Sequence, residues 1–170
     1  MPEVLIASDS DFVHAEVESV LAGSLDGEDV TFRHLRNGRQ VLPDVEAQGE
    51  PDLYVIDLQI GSMGGMATAM AIRLDEGAGR LIPTPIIMLL DRRADDFLAR
   101  RSGADDWFVK PVNPVRLRRS AEELLVNPPG ATDTDDGSPP ADSATDDDLD
   151  LFEEGEWLEG AAEAGEVETA

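Results

Sequence analysis

The sequence predicts an α/β fold: a doubly wound parallel sheet of five strands flanked by five helices. Short apolar runs alternate five times with amphipathic stretches, and Asp9, Asp57, Asp91 and Lys110 fall just beyond four of those runs. Such alternation gives a sheet covered on both faces, with a ligand crevice at the strands' C-terminal ends. Charge also divides the chain: residues 1–126 hold 22 acids and all 13 bases, whereas residues 127–170 hold 15 acids and no base.

Residues 4–7 read as a buried strand ending in SDSD. From Asp11, a helix follows from the spacing of Val13, Val17, Val20 and Leu21, with Asp11 as its cap and Gly23 as its end. Residues 30–35 suit a second strand and residues 38–47 a weak helix; residues 53–56 form a strong strand that delivers Asp57 into a Gly-rich loop. Helical spacing resumes over residues 66–74, and residues 86–90 are a fourth strand. Residues 94–101 form a short helix closed by Ser102 and Gly103, and residues 107–109 are the last strand. Asn113 and Pro114 then provide an N-cap and a first helical residue, Leu117, Ala121 and Leu124 line one face, and Pro128 and Pro129 end the helix.

Residues 127–170 begin NPPGATDTDDGSPPADSATDDD, with too little apolar surface to offset the entropy of ordering, and are expected to be a disordered acidic tail. No basic DNA-binding module is expected there, and a net charge of −24 argues against unassisted nucleic-acid binding. Without cysteine, thiolate chemistry is excluded, and His14 and His34 alone cannot make a zinc site. Any metal must be held by oxygen. No run of 18 apolar residues occurs and the N-terminus lacks a basic leader, so a soluble, cytoplasmic protein is expected, with no membrane partner.

Carboxylates at the ends of the first and third strands form an oxygen site suited to Mg²⁺, with a lysine to counter a bound anion. Such a site supports attack by a carboxylate on a phosphoryl group, because the cations neutralise charge that would repel it.

Over residues 3–126 the chain resembles the response-regulator receiver family. VLIASDS resembles its first strand and acidic pair, PDLYVIDLQIGSMGG its acceptor strand and loop, and GADDWFVKP the segment carrying its lysine. The resemblance implies a flavodoxin-like strand order of 2-1-3-4-5. It makes Asp57 the phospho-acceptor and assigns metal binding to Asp9, Asp57 and the main-chain carbonyl of Gln59. It makes Lys110 the phosphate-binding lysine, Pro111 a cis-proline and Trp107 the aromatic switch residue. A histidine kinase or histidine phosphotransfer protein is the implied donor, Mg²⁺ the implied cofactor, and turnover enzymology is not expected.

The chain departs from the family pattern at five positions, two of them, Gly61 for the commoner Pro and Gly64 for the commoner Asp, giving a more flexible acceptor loop. Ser8 stands where the acidic pair has its first acid, which should weaken metal binding. In PIIMLLD the switch hydroxyl aligns with Leu90 and its small neighbour with Asp91. Leu90 has no donor for a phosphoryl oxygen, and Asp91 adds charge beside it unless it turns away. Two readings follow: a phosphorelay receiver with atypical switching, or a pseudo-receiver that binds proteins without useful phosphorylation.

Arg92, Arg93, Arg100, Arg101, Arg116, Arg118 and Arg119 gather seven of the 12 arginines into the fourth and fifth helical segments. They read as a solvated surface paired with nearby acids, or as a face for a partner or for the acidic tail, whose LDLFEEGEWLEG segment sets Leu149, Leu151, Phe152, Trp157 and Leu158 among acids. His14 and His34 read as surface or loop residues, and Met63, Met66 and Met70 as packing residues. The sequence leaves the output partner and homodimerisation through the last helices open.

Overall fold

A computed structural model describes residues 1–22 and 29–128. The expectations for Gly23 and for the tail from residue 129 onward lie outside the described residues.

The five strands are β1 (Glu3–Ala7), β2 (Thr31–Leu35), β3 (Leu53–Asp57), β4 (Ile86–Leu90) and β5 (Asp106–Val109). All pair in parallel, in the order β2-β1-β3-β4-β5, as the resemblance implies. The helices are α1 (Asp11–Leu21), α2 (Val41–Gln48), α3 (Gly65–Gly77), α4 (Asp96–Ser102) and α5 (Pro114–Val126). Three-residue 3₁₀ turns at Gly38–Gln40 and Arg93–Asp95 lead into α2 and α4, so the helical stretches expected from residues 38 and 94 each begin tighter than an α-helix.

Two apolar layers sandwich the sheet because successive strand residues point to opposite faces. Val4, Ile6, Leu53, Val55, Ile87 and Leu89 pack with Val13, Val17 and Leu21 of α1 and Leu117 and Ala121 of α5. Leu5, Ala7, Tyr54, Ile56, Ile86, Met88 and Leu90 pack with Val41, Ala69, Ile72 and Ala99 on the other side. Every residue of β3 and β4 is buried, which is why these strands read as continuous apolar runs rather than alternating ones. Each large side chain enclosed this way contributes about 1.5–3 kcal/mol.

Caps differ in one place from expectation. Ser10, not Asp11, caps α1, its hydroxyl accepting from the Val13 N–H, because Asp11 has already entered the first helical turn. Asn113 caps α5 as expected, accepting from Val115 and Arg116. At Gly65 a Cβ would come within 2.4 Å of the Asp57 carbonyl oxygen, so only glycine lets α3 start this close to the end of β3.

Candidate phosphoryl-acceptor site

The ends of β1, β3, β4 and β5 converge on an open cleft of about 540 Å³ lined by Asp9, Asp57, Gln59, Asp91, Lys110 and Pro111, with Phe12 and Glu16 of α1 at its side. Four of these, Asp9, Asp57, Asp91 and Lys110, lie far apart in sequence and meet because parallel strands put all their C-terminal ends on one rim.

Asp57 is 2% exposed. Its Oδ1 accepts from the Gln59 N–H and from Lys110 Nζ, each at 3.1 Å. Oδ2 accepts from the Ser8 hydroxyl at 2.9 Å and from the same ammonium at 3.1 Å. A buried carboxylate is tolerable only with such partners. Ser8, fully buried, is thus a donor to Asp57 where the family pattern would place another acid.

Lys110 does not serve Asp57 alone. Its ammonium also lies 2.9 Å from Asp91 Oδ1. Asp91 therefore does not turn away from the site: it faces the cleft and takes the lysine as counter-ion. Burial works against the charge on Lys110, but hydrogen bonds to Asp91 and Asp57 outweigh it and hold the pKa above the ordinary lysine value. The Lys110–Pro111 peptide bond is cis.

The donor set for a cation is oxygen-only. Among the described residues no three His, Cys, Asp or Glu side chains gather into a metal cluster, but Asp9 and Asp57 line the same cleft as Gln59. Asp9 is exposed and makes no hydrogen bond or ion pair among the described residues, so both its oxygens are available. Two carboxylates on an open cleft fit Mg²⁺, which keeps several of its waters.

Leu90 is fully buried in the core, packed in the same cluster as Leu58 and Trp107, and offers the cleft nothing polar. Trp107 is half-buried, with the Arg100 guanidinium 5.3 Å above its ring. The arginines divide between α5 and the α4 segment. Arg92 pairs with Asp95, Arg100 with Asp96 and Arg118 with Glu122, each within a helical turn, while Arg116 sits over Phe108. Arg93, Arg101 and Arg119 are exposed.

Two sequence expectations require correction. His14 is not a surface residue: it is 5% exposed, its Nε2 donates to the Ser8 carbonyl at 2.6 Å, and its ring lies 4.6 Å from that of exposed His34. The signal was its spacing, three and seven residues before Val17 and Leu21 on the apolar stripe of α1. Met63 and Met70 are exposed rather than packed; only Met66 lies against the core. The cleft residues Phe12 and Glu16 had no signal beyond their place in the first turns of α1.

The response regulator receiver domain model matches residues 4–122. The DNA-binding response regulator MtrA of Mycolicibacterium paratuberculosis is 31% identical over 133 residues, covering 72% of this chain and 55% of its own length, so the chain spans about half of that relative. Among solved structures, the receiver domain of a Syntrophus aciditrophicus signal transduction histidine kinase superposes with a TM-score of 0.63 at 25% identity, covering 81% of this chain and all of its own. The chemotaxis protein CheY4 of Vibrio cholerae gives 0.60 at 25% identity, covering 73% and 98%. The Mn²⁺-bound form of response regulator Rcp1 gives 0.58 at 20% identity, covering 73% and 91%, and bears on the fold alone. With its sheet order, its strand-end cleft and a family match over most of its length, this chain belongs to the response-regulator receiver family.

Proposed function

We propose that this receiver domain accepts a phosphoryl group on Asp57 from a histidine kinase or histidine phosphotransfer protein in the cytoplasm and signals through protein–protein contacts. The observation that carries the reading is the Asp57–Lys110 pair: a buried carboxylate with an ammonium 3.1 Å from each oxygen, opening onto a cleft. Receiver domains are signalling modules rather than typical enzymes, and they generally bind Mg²⁺.

Transfer is a simple displacement. An Asp57 oxygen forms the new O–P bond as the donor's N–P bond breaks, and the bonding pair returns to the donor's histidine nitrogen, which takes up a proton. Lys110 offsets the charge that the phosphoryl oxygens bring. The Gln59 N–H and the Ser8 hydroxyl fix the carboxylate's orientation before the donor arrives. Asp9, Asp57 and the Gln59 carbonyl would hold Mg²⁺, which supplies further charge neutralisation when bound.

One observation favours the pseudo-receiver reading as a second possibility. Both oxygens of Asp57 are already engaged by protein donors, from Ser8, Gln59 and Lys110, and the lysine is shared with Asp91. Phosphorylation must break some of these contacts. The test is direct: with a small acyl phosphate and Mg²⁺, intact mass should report one added phosphoryl group on the wild type and none on Asp57→Asn. An unmodified wild type that also leaves the amides around Asp57 unmoved by beryllofluoride would establish the pseudo-receiver instead.

A further inference from the structure

Lys110 is the chain's only lysine, and its ammonium has three N–H donors. The structure spends them on three carboxylate oxygens: the two of Asp57 at 3.1 Å and Oδ1 of Asp91 at 2.9 Å. A phosphoryl group on Asp57 needs a donor from that ammonium, and the contact to Asp91 is the one free to yield. Asp91 is 42% exposed and can be hydrated on leaving, whereas Asp57 is held by Ser8 and Gln59 as well. Arg92, next in sequence, is occupied by Asp95 and does not replace the lysine as Asp91's counter-ion.

Charge adds to this competition. The carboxylates of Asp9, Glu16, Asp57 and Asp91 line the cleft against the one ammonium of Lys110. An aspartyl phosphate puts more negative charge where Asp91 already sits, and Leu90 offers no hydroxyl in compensation.

We propose that Asp91 is a displaceable counter-ion that restrains phosphorylation: in the resting domain it holds Lys110, and a phosphoryl group on Asp57 takes the lysine and drives Asp91 outward. Resting on the phosphoryl-acceptor reading above, this names its regulation. Asp91 acts through Lys110 and is a positioning residue, not a catalytic one. Its displacement moves the segment between β4 and α4 by pushing a carboxylate out, in place of a hydroxyl drawn in by the phosphoryl group.

The single lysine makes the test clean. The full chain, labelled with ¹³C,¹⁵N-lysine and uniformly with ¹⁵N in parallel, is titrated with beryllofluoride in the presence of Mg²⁺. In the wild type, the Lys110 Cε signal and the amides of Asp91 and Arg92 should move together. Asp91→Asn, an exposed isosteric change, should bind the mimic about tenfold more tightly, equivalent to roughly 1.4 kcal/mol. Its Lys110 signal should already be displaced before any mimic is added. Asp91→Glu should return the affinity to the wild-type value. If Asp91→Asn and wild type bind with equal affinity while both respond around Asp57, the role of Asp91 is refuted and Asp57 remains the acceptor. If neither responds, the acceptor reading falls and this inference falls with it.

Discussion

The ends of β3 and β5 and the end of β4 lie side by side on one rim, yet carry different kinds of residue. Asp57 and Lys110 are the pair that phosphoryl acceptance requires, in contact and mostly shielded from water. At the end of β4, Leu90 is sealed into the core and Asp91 draws the lysine toward itself. On the phosphoryl-acceptor reading, placement for transfer and sensing of its product fall to different strand ends. A carboxylate can be placed for transfer while the neighbouring strand lacks the hydroxyl that would sense the product.

Lys110→Ala acts most strongly on the pair formed by the ends of β3 and β5. It leaves Asp57 buried without its cation and Asp9, Asp57 and Asp91 around one cleft. Phosphorylation by a small acyl phosphate should fall on the order of a hundredfold. Stability should fall by about 2 kcal/mol, less than for a fully buried pair because Lys110 is 19% exposed. Rates from intact mass and urea midpoints would measure the two effects, and an unchanged rate would remove Lys110 from the chemistry.

Leu90→Thr asks whether the β4 end can be given the missing handle. The hydroxyl enters an apolar layer, so a cost of about 2 kcal/mol is expected. In return, beryllofluoride should shift the Trp107 indole N–H resonance more in the variant than in the wild type, since residue 90 and Trp107 share the same core cluster. Equal shifts in both proteins would mean that the readout does not pass through residue 90.

Ser8→Asp acts at the β1 end, beside Asp57 and Asp9. A second free carboxylate beside Asp9 should tighten Mg²⁺ binding by about tenfold. Without metal it also crowds Asp57, so the variant should be less stable than wild type in chelator and gain more stability from Mg²⁺. Melting temperatures with and without Mg²⁺ are the measurement, and an identical Mg²⁺ increment in both proteins would count against a cation at this rim.

Most of this architecture was legible because its signals are local. The apolar runs gave the strands, and the order of Asp9, Asp57, Asp91 and Lys110 along the chain gave the rim, since parallel strands leave little choice about where their ends go. What the sequence did not reveal were choices among rotamers. Asp91 could have faced solvent, and its capture by Lys110 depends on how the chain leaves β4. Ser8 read as a lost acid, and its positive role as a donor to Asp57 depends on a 2.9 Å contact between strands 49 residues apart. His14 is polar yet buried, and only its spacing from Val17 and Leu21 on α1 points inward.

A weaker change is expected at the β1 edge of the site, from the contact between His14 and His34. His14 reaches the Ser8 carbonyl, and Ser8 in turn reaches Asp57, while the ring of His34 in β2 lies 4.6 Å from that of His14, tilted by 44°. Burial and the neighbouring His14 lower the pKa of His34, and Glu18 only partly restores it. With the folded value below the unfolded value of 6.5, the unfolded chain binds more protons between the two. Stability is therefore undiminished above pH 6.5 and declines as pH falls from there through the folded pKa. His34→Gln should flatten the part of the Tm profile just below pH 6.5 at constant ionic strength, leaving the acid limb due to carboxylates in place. An unaltered profile would mean that protonation costs His34 no more in the folded domain than in the open chain. The tilted ring contact would then be a packing contact with no bearing on the β1 side of the rim.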